Sequence, residues 1–250
     1  MASPYLSVCI PTYEMGGNGA RFLEESLQKL DKQEFRDFEV VVSDQSSDTA
    51  IQNVCQNWNN RLAVRHVWNR HGKRQASANV NFAMDAASGE ILKILFADDY
   101  LSDSKALSAI SKAFRSSGKS WLLNGSGVCR DGVTVEDTMV PRLTEKMVFG
   151  KNTVSSPSVL AMRKSCTERF DENLIWLMDV EMYQRLRLNV GEPIILREPL
   201  IVNRLHDAQV SAAIGKPLRR KEIQYVREKF SGQLSRSASM EYWRQLIKAL

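Results

Sequence analysis

Ile94-Leu95-Phe96-Ala97-Asp98-Asp99-Tyr100-Leu101 is the stretch on which the reading of this chain turns. An apolar, β-rich run from Ile91 to Phe96 stops abruptly at two adjacent carboxylates. Neighbouring carboxylates repel unless something positive lies between or beside them, and buried strands do not usually finish this way. In an α/β protein the natural place for such a pair is the carboxyl edge of the sheet, where ligands bind. Oxygen ligands there suit Mg²⁺ or Mn²⁺, hard ions that bridge one or two carboxylates to substrate phosphates. The competing expectation is that Asp98 and Asp99 only start a turn or cap a helix beginning near Ser104.

Outward from that stretch, strand and helix signals alternate. Strands are predicted at Leu6–Ile10, Phe38–Ser43, Leu62–Trp68 and Ile91–Phe96. Between them Leu23, Leu27 and Leu30 share one helical face, as do Val80, Ala83 and Ala87, and after the Asp pair Leu107, Ile110 and Phe114. This βαβα order predicts a parallel sheet covered by helices. Past Ser117-Gly118 the pattern turns irregular. Short strands are predicted at Trp121–Leu123, Val133–Val135, Ser158–Met162, Ile194–Arg197 and Leu200–Leu205, and a helix at Val180–Leu188. Ser231–Ser239 reads as a linker between two terminal helices.

The 250 residues, 43% hydrophobic and 25% charged, suffice for one large α/β domain with a sizeable core. No apolar run approaches the ~18 residues of a membrane span, and the N-terminus does not read as a signal peptide. Cys9, Cys55, Cys129 and Cys166 lie far apart, which predicts reduced thiols in a cytoplasmic protein and supports neither zinc nor disulfides. The net charge of +5 is uneven: nine Lys/Arg against three Glu from Lys216 to Leu250 carry +6, leaving residues 1–215 at −1. A nucleic-acid binder would spread its cations among exposed aromatics over the main surface, so nucleic acid is not an expected partner.

Several other segments carry candidate chemistry. Gly16-Gly17-Asn18-Gly19-Ala20-Arg21 fails the dinucleotide fingerprint at Phe22 but fits a GGxGxR phosphate loop locally; a surface loop is the alternative. Asp44 ends the second strand and can accept hydrogen bonds from a base or ribose, or open an Asx turn before a cap at Ser47 or Asp48. Asn69-Arg70-His71-Gly72-Lys73-Arg74 puts cations before a helix N-terminus, which favours a diphosphate or is simply a solvated loop. Asp179 follows an apolar tripeptide, as an N-cap or as a carboxylate aimed into a cleft for general-base work. His206 follows a strand and, taken alone, reads as structural.

In order along the chain these segments resemble the inverting family 2 glycosyltransferases, which have the GT-A fold, over roughly residues 5–212. Leu6-Ser7-Val8-Cys9-Ile10-Pro11-Thr12-Tyr13 is similar to the family's opening strand, whose loop cups the nucleotide base. That places Pro11, Thr12, Tyr13 and Glu14 among the donor contacts. Val42–Asp48 resembles the second-strand motif and implies that Asp44 binds the base. Asn69-x-x-Gly72, Asn79 and Ala87-x-Gly89-Glu90 resemble the run before the metal strand and add Lys73 and Asn79 to the donor contacts. Ala97-Asp98-Asp99 looks like the family's DxD-type motif, implying Asp98 on the ribose and Asp99 on the metal. Arg163-Lys164-Ser165 and Phe170-Asp171-Glu172 resemble the segment that precedes the catalytic base, which falls at Asp179 with Arg185 beyond it. Arg204-x-His206, with Ser211 five further, resembles the C-terminal motif whose histidine completes the metal site. The chain departs from the family pattern at Glu14, Ala78, Phe96 and Met178.

The resemblance implies an α/β GT-A fold: a Rossmann-like mixed, mainly parallel sheet flanked by helices, with a C-terminal helical tail. Residues 1–215 would form the glycosyltransferase domain, with a nucleotide-binding half to about residue 101 and an acceptor half beyond it, and 216–250 a basic amphipathic tail. The implied reaction is metal-dependent, inverting transfer from a nucleotide-diphosphate sugar, a UDP-sugar first, to a hydroxyl of a glycan or lipid-linked acceptor of bacterial type. Competing expectations are a sugar-1-phosphate nucleotidyltransferase, resting on Gly16–Arg21, and an inactive GT-A binding module. In the tail, Ile223, Val226 and Phe230 form one apolar stripe and Met240, Trp243, Ile247 and Leu250 another. These stripes predict contact with the inner face of a membrane, packing on the core, or a homodimer.

Overall fold

Every residue of Leu6–Thr12 is buried, which marks a strand covered by helices on both faces. The computed structural model describes residues 3–130, 132–206 and 214–249, and in it this segment is β1. β1 pairs in parallel with β2 (Phe38–Asp44) and with β4 (Ile91–Ile94), and β3 (Val64–Trp68) lies parallel to β2. The crossovers run through α1 (Gly19–Asp31), α2 (Ala50–Trp58) and α3 (Ala76–Ala86). The face predicted for α1 is the one it buries, with Phe22, Leu23, Leu27 and Leu30 in the core.

The second half contributes β5 (Tyr100–Leu101), α4 (Ala106–Arg115), β6 (Trp121–Cys129), β7 (Val135–Met139), β8 (Leu160–Arg163), α5 (Met178–Val190) and β9 (Ile194–Arg204). The sheet order is β3-β2-β1-β4-β8-β6-β9-β5, with β7 on β6. The four strands of the first half are parallel; β8 then runs antiparallel to both β4 and β6. This is the mixed α/β architecture the sequence implies. The two strands expected at 194–197 and 200–205 are a single strand. Arg197-Glu198-Pro199 is absorbed as a bulge against Gly125, where a Cβ would meet the Arg197 and Glu198 carbonyl oxygens at 2.7 Å.

The tail forms α6 (Lys216–Lys229) and α7 (Arg236–Lys248). The expected linker is shorter than the Ser-rich run, because Ser235 caps α7 by accepting the Ala238 N–H at 3.3 Å. The α6 stripe packs on the body: Ile223, Val226 and Phe230 are buried. On α7, Tyr242 packs edge-on against Phe149, with ring centroids 5.5 Å apart. Met240, Trp243 and Ile247 face outward, 73%, 59% and 67% exposed, while Leu250 lies outside the described residues. All four cysteines are buried and none is in a disulfide, and no described helix is long and apolar enough to cross a membrane.

Because β1, β2 and β4 are parallel, their carboxyl ends share one edge, at Thr12, Asp44 and Ile94. The long loop after β1 folds onto the start of α1, where a Cβ on Gly19 would lie 2.0 Å from the Tyr13 carbonyl oxygen. That approach fixes the loop over the sheet edge. Gly19→Ala should therefore destabilise the protein by about 1–3 kcal/mol in urea unfolding, the usual cost of overpacking. A loss below about 0.5 kcal/mol would mean that the loop is free to lift from the helix.

Candidate active site

Asp98 and Asp99 sit at a tight turn, closed by the Asp99 N–H donating to the Phe96 carbonyl at 2.9 Å. The turn sends the two carboxylates in different directions. Asp99 is 4% exposed, and its Oδ2 accepts the Ser156 hydroxyl at 3.0 Å and the Ser158 hydroxyl at 2.5 Å. Beneath it lies Lys93, fully buried on β4, donating to Asn124 Oδ1 at 3.0 Å and to the Ser158 carbonyl. Burial pushes the Asp99 carboxyl up, as does the neighbouring Asp98 charge, and burial pushes the Lys93 ammonium down. Asp98 turns outward, and its Oδ2 lies 3.1 Å from His206 Nε2.

The turn is held from several sides. Ser26 of α1 donates to the Asp99 carbonyl at 2.6 Å, and Arg204 Nε donates to the Asp98 carbonyl at 3.2 Å. Arg204 also pairs with Glu25 and lies over the Phe22 ring, 4.6 Å from its centroid. The His206 ring packs on Phe22 at 4.9 Å, so its plane is fixed, while its buried Nδ1 has no hydrogen-bond partner among the described residues.

Asp98 and His206 open onto a cavity of about 430 Å³ at the sheet edge. Its apolar wall comes from Pro11, Tyr13, Met15, Ala76, Phe96 and Ile175, and its polar wall from Glu14, Gln45, Arg74, Gln75 and Asn79. Arg74 pairs with Glu14 Oε1 at 3.1 Å, while the buried Glu14 Oε2 has no hydrogen-bond partner among the described residues. Burial raises the Tyr13 hydroxyl pKa, reinforced by the charges of Asp98 and Glu14. A mostly apolar pocket with a few convergent polar groups is the usual form of a small-ligand site.

Asp179 stands one residue into α5 and is not on this cavity's wall. Its Oδ1 accepts the Val180 N–H at 2.7 Å and its Oδ2 accepts Asn152 Nδ2 at 3.0 Å. The residue is half-buried, yet the protein around its carboxyl excludes enough water to push the pKa up to about 7. Hydrogen bonds from Val180, Asp179's own N–H and Asn152 oppose that rise, and the Glu222 charge adds to it.

Of the residues singled out from sequence, Pro11, Tyr13, Glu14, Asn79, Asp98 and His206 meet on the cavity wall. Thr12, Asp44, Lys73 and Asp99 do not. Thr12 is buried, and its hydroxyl has no hydrogen-bond partner among the described residues. Asp44 is wholly buried, accepting the Ser46 N–H at 2.8 Å and facing His66 Nε2 at 2.9 Å. Lys73 reaches instead to the Glu172 carbonyl at 3.1 Å. Asn79 lines the cavity while it binds the Thr12 carbonyl, Ser43 and Asn69, and so ties the carboxyl ends of β1 and β2 to the loop that follows β3. Arg21, of the glycine-rich loop, pairs with Glu25 at 3.2 Å, away from the cavity. Ser211 lies outside the described residues. Sequence did not assign Met15, Gln45, Gln75, Ala76, Phe96 or Ile175 to the wall, and it offered Arg74 only within the Asn69–Arg74 run of cations before a helix.

The profile of glycosyl transferase family 2 matches residues 7–165. GalNAc(5)-diNAcBac-PP-undecaprenol beta-1,3-glucosyltransferase of Campylobacter jejuni is 32% identical over 111 residues, 44% of this chain and 35% of that protein. Validoxylamine A glucosyltransferase of Streptomyces hygroscopicus is 39% identical over 95 residues, 37% of this chain and 21% of that protein. The matches thus span about a third or less of these relatives. Among solved structures, TarS 1–349 of S. aureus in complex with UDP-GlcNAc superposes with a TM-score of 0.71 at 18% identity, over 98% of this chain and 72% of that one. The mannosyltransferase PcManGT of Pyrobaculum calidifontis, with GDP-Man and Mn²⁺, superposes with a TM-score of 0.68 at 17% identity, over 100% of this chain and 74% of that one. At those identities the likeness is one of fold.

The Asp179 environment makes a direct prediction. In carboxyl-labelled protein its NMR titration should centre near 7, and Asn152→Ala should raise the midpoint, because the lost donor favours the charged form. A midpoint near the ordinary ~3.9 of an aspartate would mean that water reaches the carboxyl freely.

Proposed function

The chain belongs to glycosyl transferase family 2, and from that premise we propose that it moves a sugar from a nucleoside diphosphate sugar to an acceptor hydroxyl by single displacement, with inversion. The observation that carries the reading is the Asp98–His206 pair on the cavity wall, with a second, water-shielded carboxylate at Asp179 held apart from it. The cavity takes the nucleoside diphosphate: Tyr13, Pro11 and Phe96 give it apolar surface, and Arg74 gives it a cation for the diphosphate. Asp44 supports the base end through the adjoining Gln45.

Asp98 and His206 are assigned to a divalent cation, Mn²⁺ or Mg²⁺. This places the metal contact on Asp98 rather than Asp99, whose carboxylate is already committed to Ser156 and Ser158. The donor set fits a hard or borderline divalent ion in type: one carboxylate oxygen and one imidazole nitrogen, 3.1 Å apart. Among the described residues no three His, Cys, Asp or Glu side chains converge, so diphosphate oxygens and water would have to supply the remaining ligands, as is usual for such ions. When bound, the cation neutralises charge on the leaving diphosphate. The Mn²⁺ and GDP-Man of PcManGT support this assignment.

Asp179 accepts the proton of the acceptor hydroxyl as that oxygen attacks. A base with a pKa near 7 is well matched to this task at neutral pH. The name of the Campylobacter relative, which acts on a polyprenyl-diphosphate glycan, supports a lipid-linked acceptor. On α7, the exposed Met240, Trp243 and Ile247 lie among the exposed cations Arg236, Arg244 and Lys248, with the helix's one acid, Glu241, buried. A basic helix with protruding apolar side chains suits the headgroup region of an anionic bilayer.

UDP-Glc, UDP-GlcNAc and GDP-Man, each tested with Mn²⁺ for hydrolysis and thermal stabilisation, identify a working donor. With it, kcat/KM should be lost as pH falls through about 7, because the raised Asp179 pKa leaves the carboxylate protonated below that point. Asp179→Asn should lower turnover ~10²–10⁴-fold and leave UDP or GDP affinity within a few-fold; near-normal turnover would reassign the base. Excess chelator should abolish turnover and Mn²⁺ restore it, and full turnover without metal would remove the cation from the scheme. For the tail, the intact protein should co-sediment with phosphatidylglycerol-containing vesicles at low salt and less at high salt. Trp243→Ser with Ile247→Ser should weaken that binding, and equal binding to neutral vesicles would contradict the charge argument.

A further inference from the structure

Three consecutive backbone N–H groups, those of Ile175, Trp176 and Leu177, donate to one side chain, the carboxylate of Glu222 on α6, at 2.7, 3.0 and 2.8 Å. The Glu222 side chain is buried, 1% exposed. α5 begins just after this turn and has no side-chain cap of its own at Leu177. Backbone donors at a helix start need partners, and a negative charge there is favourable. Glu222 supplies both from a separate helix.

The turn it holds has two functional ends. Ile175 is on the cavity wall, and Asp179 follows Leu177 by two residues. α6 grips the same segment on both sides: Tyr225 donates to Asp171 at 2.8 Å, and Lys229 bridges Asp171 and Glu181, the latter at 2.9 Å. The groups facing Asp179 are the Asn152 amide, the Val180 N–H, the Tyr183 hydroxyl and the Glu222 charge; those facing Glu222 are the three N–H groups and Lys221 on its own helix. α6 lies beyond residues 7–165, so the family match does not account for this contact.

We propose that Glu222 is a positioning residue for sugar transfer, fixing the Ile175–Leu177 turn so that the donor-cavity wall and the Asp179 carboxylate keep one spacing. The inference rests on Asp179 being the base. A glutamine side chain cannot replace Glu222: its one carbonyl oxygen cannot serve three donors, and its NH₂ would face one of them.

The test compares Glu222→Gln, Glu222→Asp and Asp179→Asn in the full chain. The measurements are thermal unfolding, UDP or GDP affinity by calorimetry, turnover of the working donor, and the NMR titration of Asp179. Glu222→Gln should unfold cooperatively, lose at least about tenfold in turnover of the folded protein, and move the Asp179 midpoint to lower pH, since a nearby negative charge has gone. Glu222→Asp keeps the charge but falls a methylene short, so it should lose turnover with little change in the midpoint; it also serves as the test if the glutamine variant does not fold. Turnover within twofold of wild type in either folded variant, or an unmoved midpoint in Glu222→Gln, overturns the inference. If Asp179→Asn itself retains turnover, it is the base assignment that fails.

Discussion

A carboxylate withdrawn from water has to be met by hydrogen bonds or positive charge, and the structure is organised around doing this for Asp99. Two serine hydroxyls from the segment before β8 reach it, and Lys93 lies below. These contacts bind the end of β4 to the second half of the chain, which explains why β8 runs against β4 and why Ser156 and Ser158 sit where they do. With Asp99 committed inward, the turn leaves Asp98 to face the cavity. The pair that looked interchangeable in sequence is thereby divided into a structural carboxylate and a ligand-facing one.

The same economy of anchoring recurs around the cavity. His206 is held by Phe22 behind it and by Arg204 two residues before it, so helix α1, strand β9 and the Asp98 turn form one unit. On the opposite side, α6 fixes the turn that leads into Asp179. The proposed donor cavity is thus built largely from the parallel half of the sheet, and the proposed base from elements beyond it. A network through Asn152, Ser155, Asn203 and Ser156 runs between the proposed base and the Asp99 cluster. Buried polar networks of this kind hold position only when each member is satisfied.

The parallel half was legible because its strands are continuous apolar runs and its helices repeat on one face; Leu23, Leu27 and Leu30 are buried as their spacing requires. β9 was harder to read, because Pro199 and two charged neighbours look like a loop until Gly125 gives them room to bulge. Asp98 and His206 were found as candidates, but sequence offers no means of telling which of two adjacent aspartates faces inward. Lys73 was singled out for its charge, whereas Arg74, next to it, is the cation on the cavity wall. Glu222 gave no signal at all, since a glutamate within a basic helix reads as a solvated charge until its three N–H partners, about 45 residues away in sequence, are seen. The α6 stripe at Ile223, Val226 and Phe230 was legible as apolar, but not the surface that covers it.

In the proposed function, the divided aspartate pair sets the metal contact of the nucleotide-sugar site. Anomalous diffraction from crystals grown with Mn²⁺ and either UDP or GDP tests it most directly. One strong peak is expected in the cavity, within coordination distance of Asp98 and His206, with diphosphate oxygens completing the shell and Asp99 still bonded to Ser156 and Ser158. A peak coordinated by Asp99, or nucleotide bound in the cavity with no metal near Asp98, would contradict it.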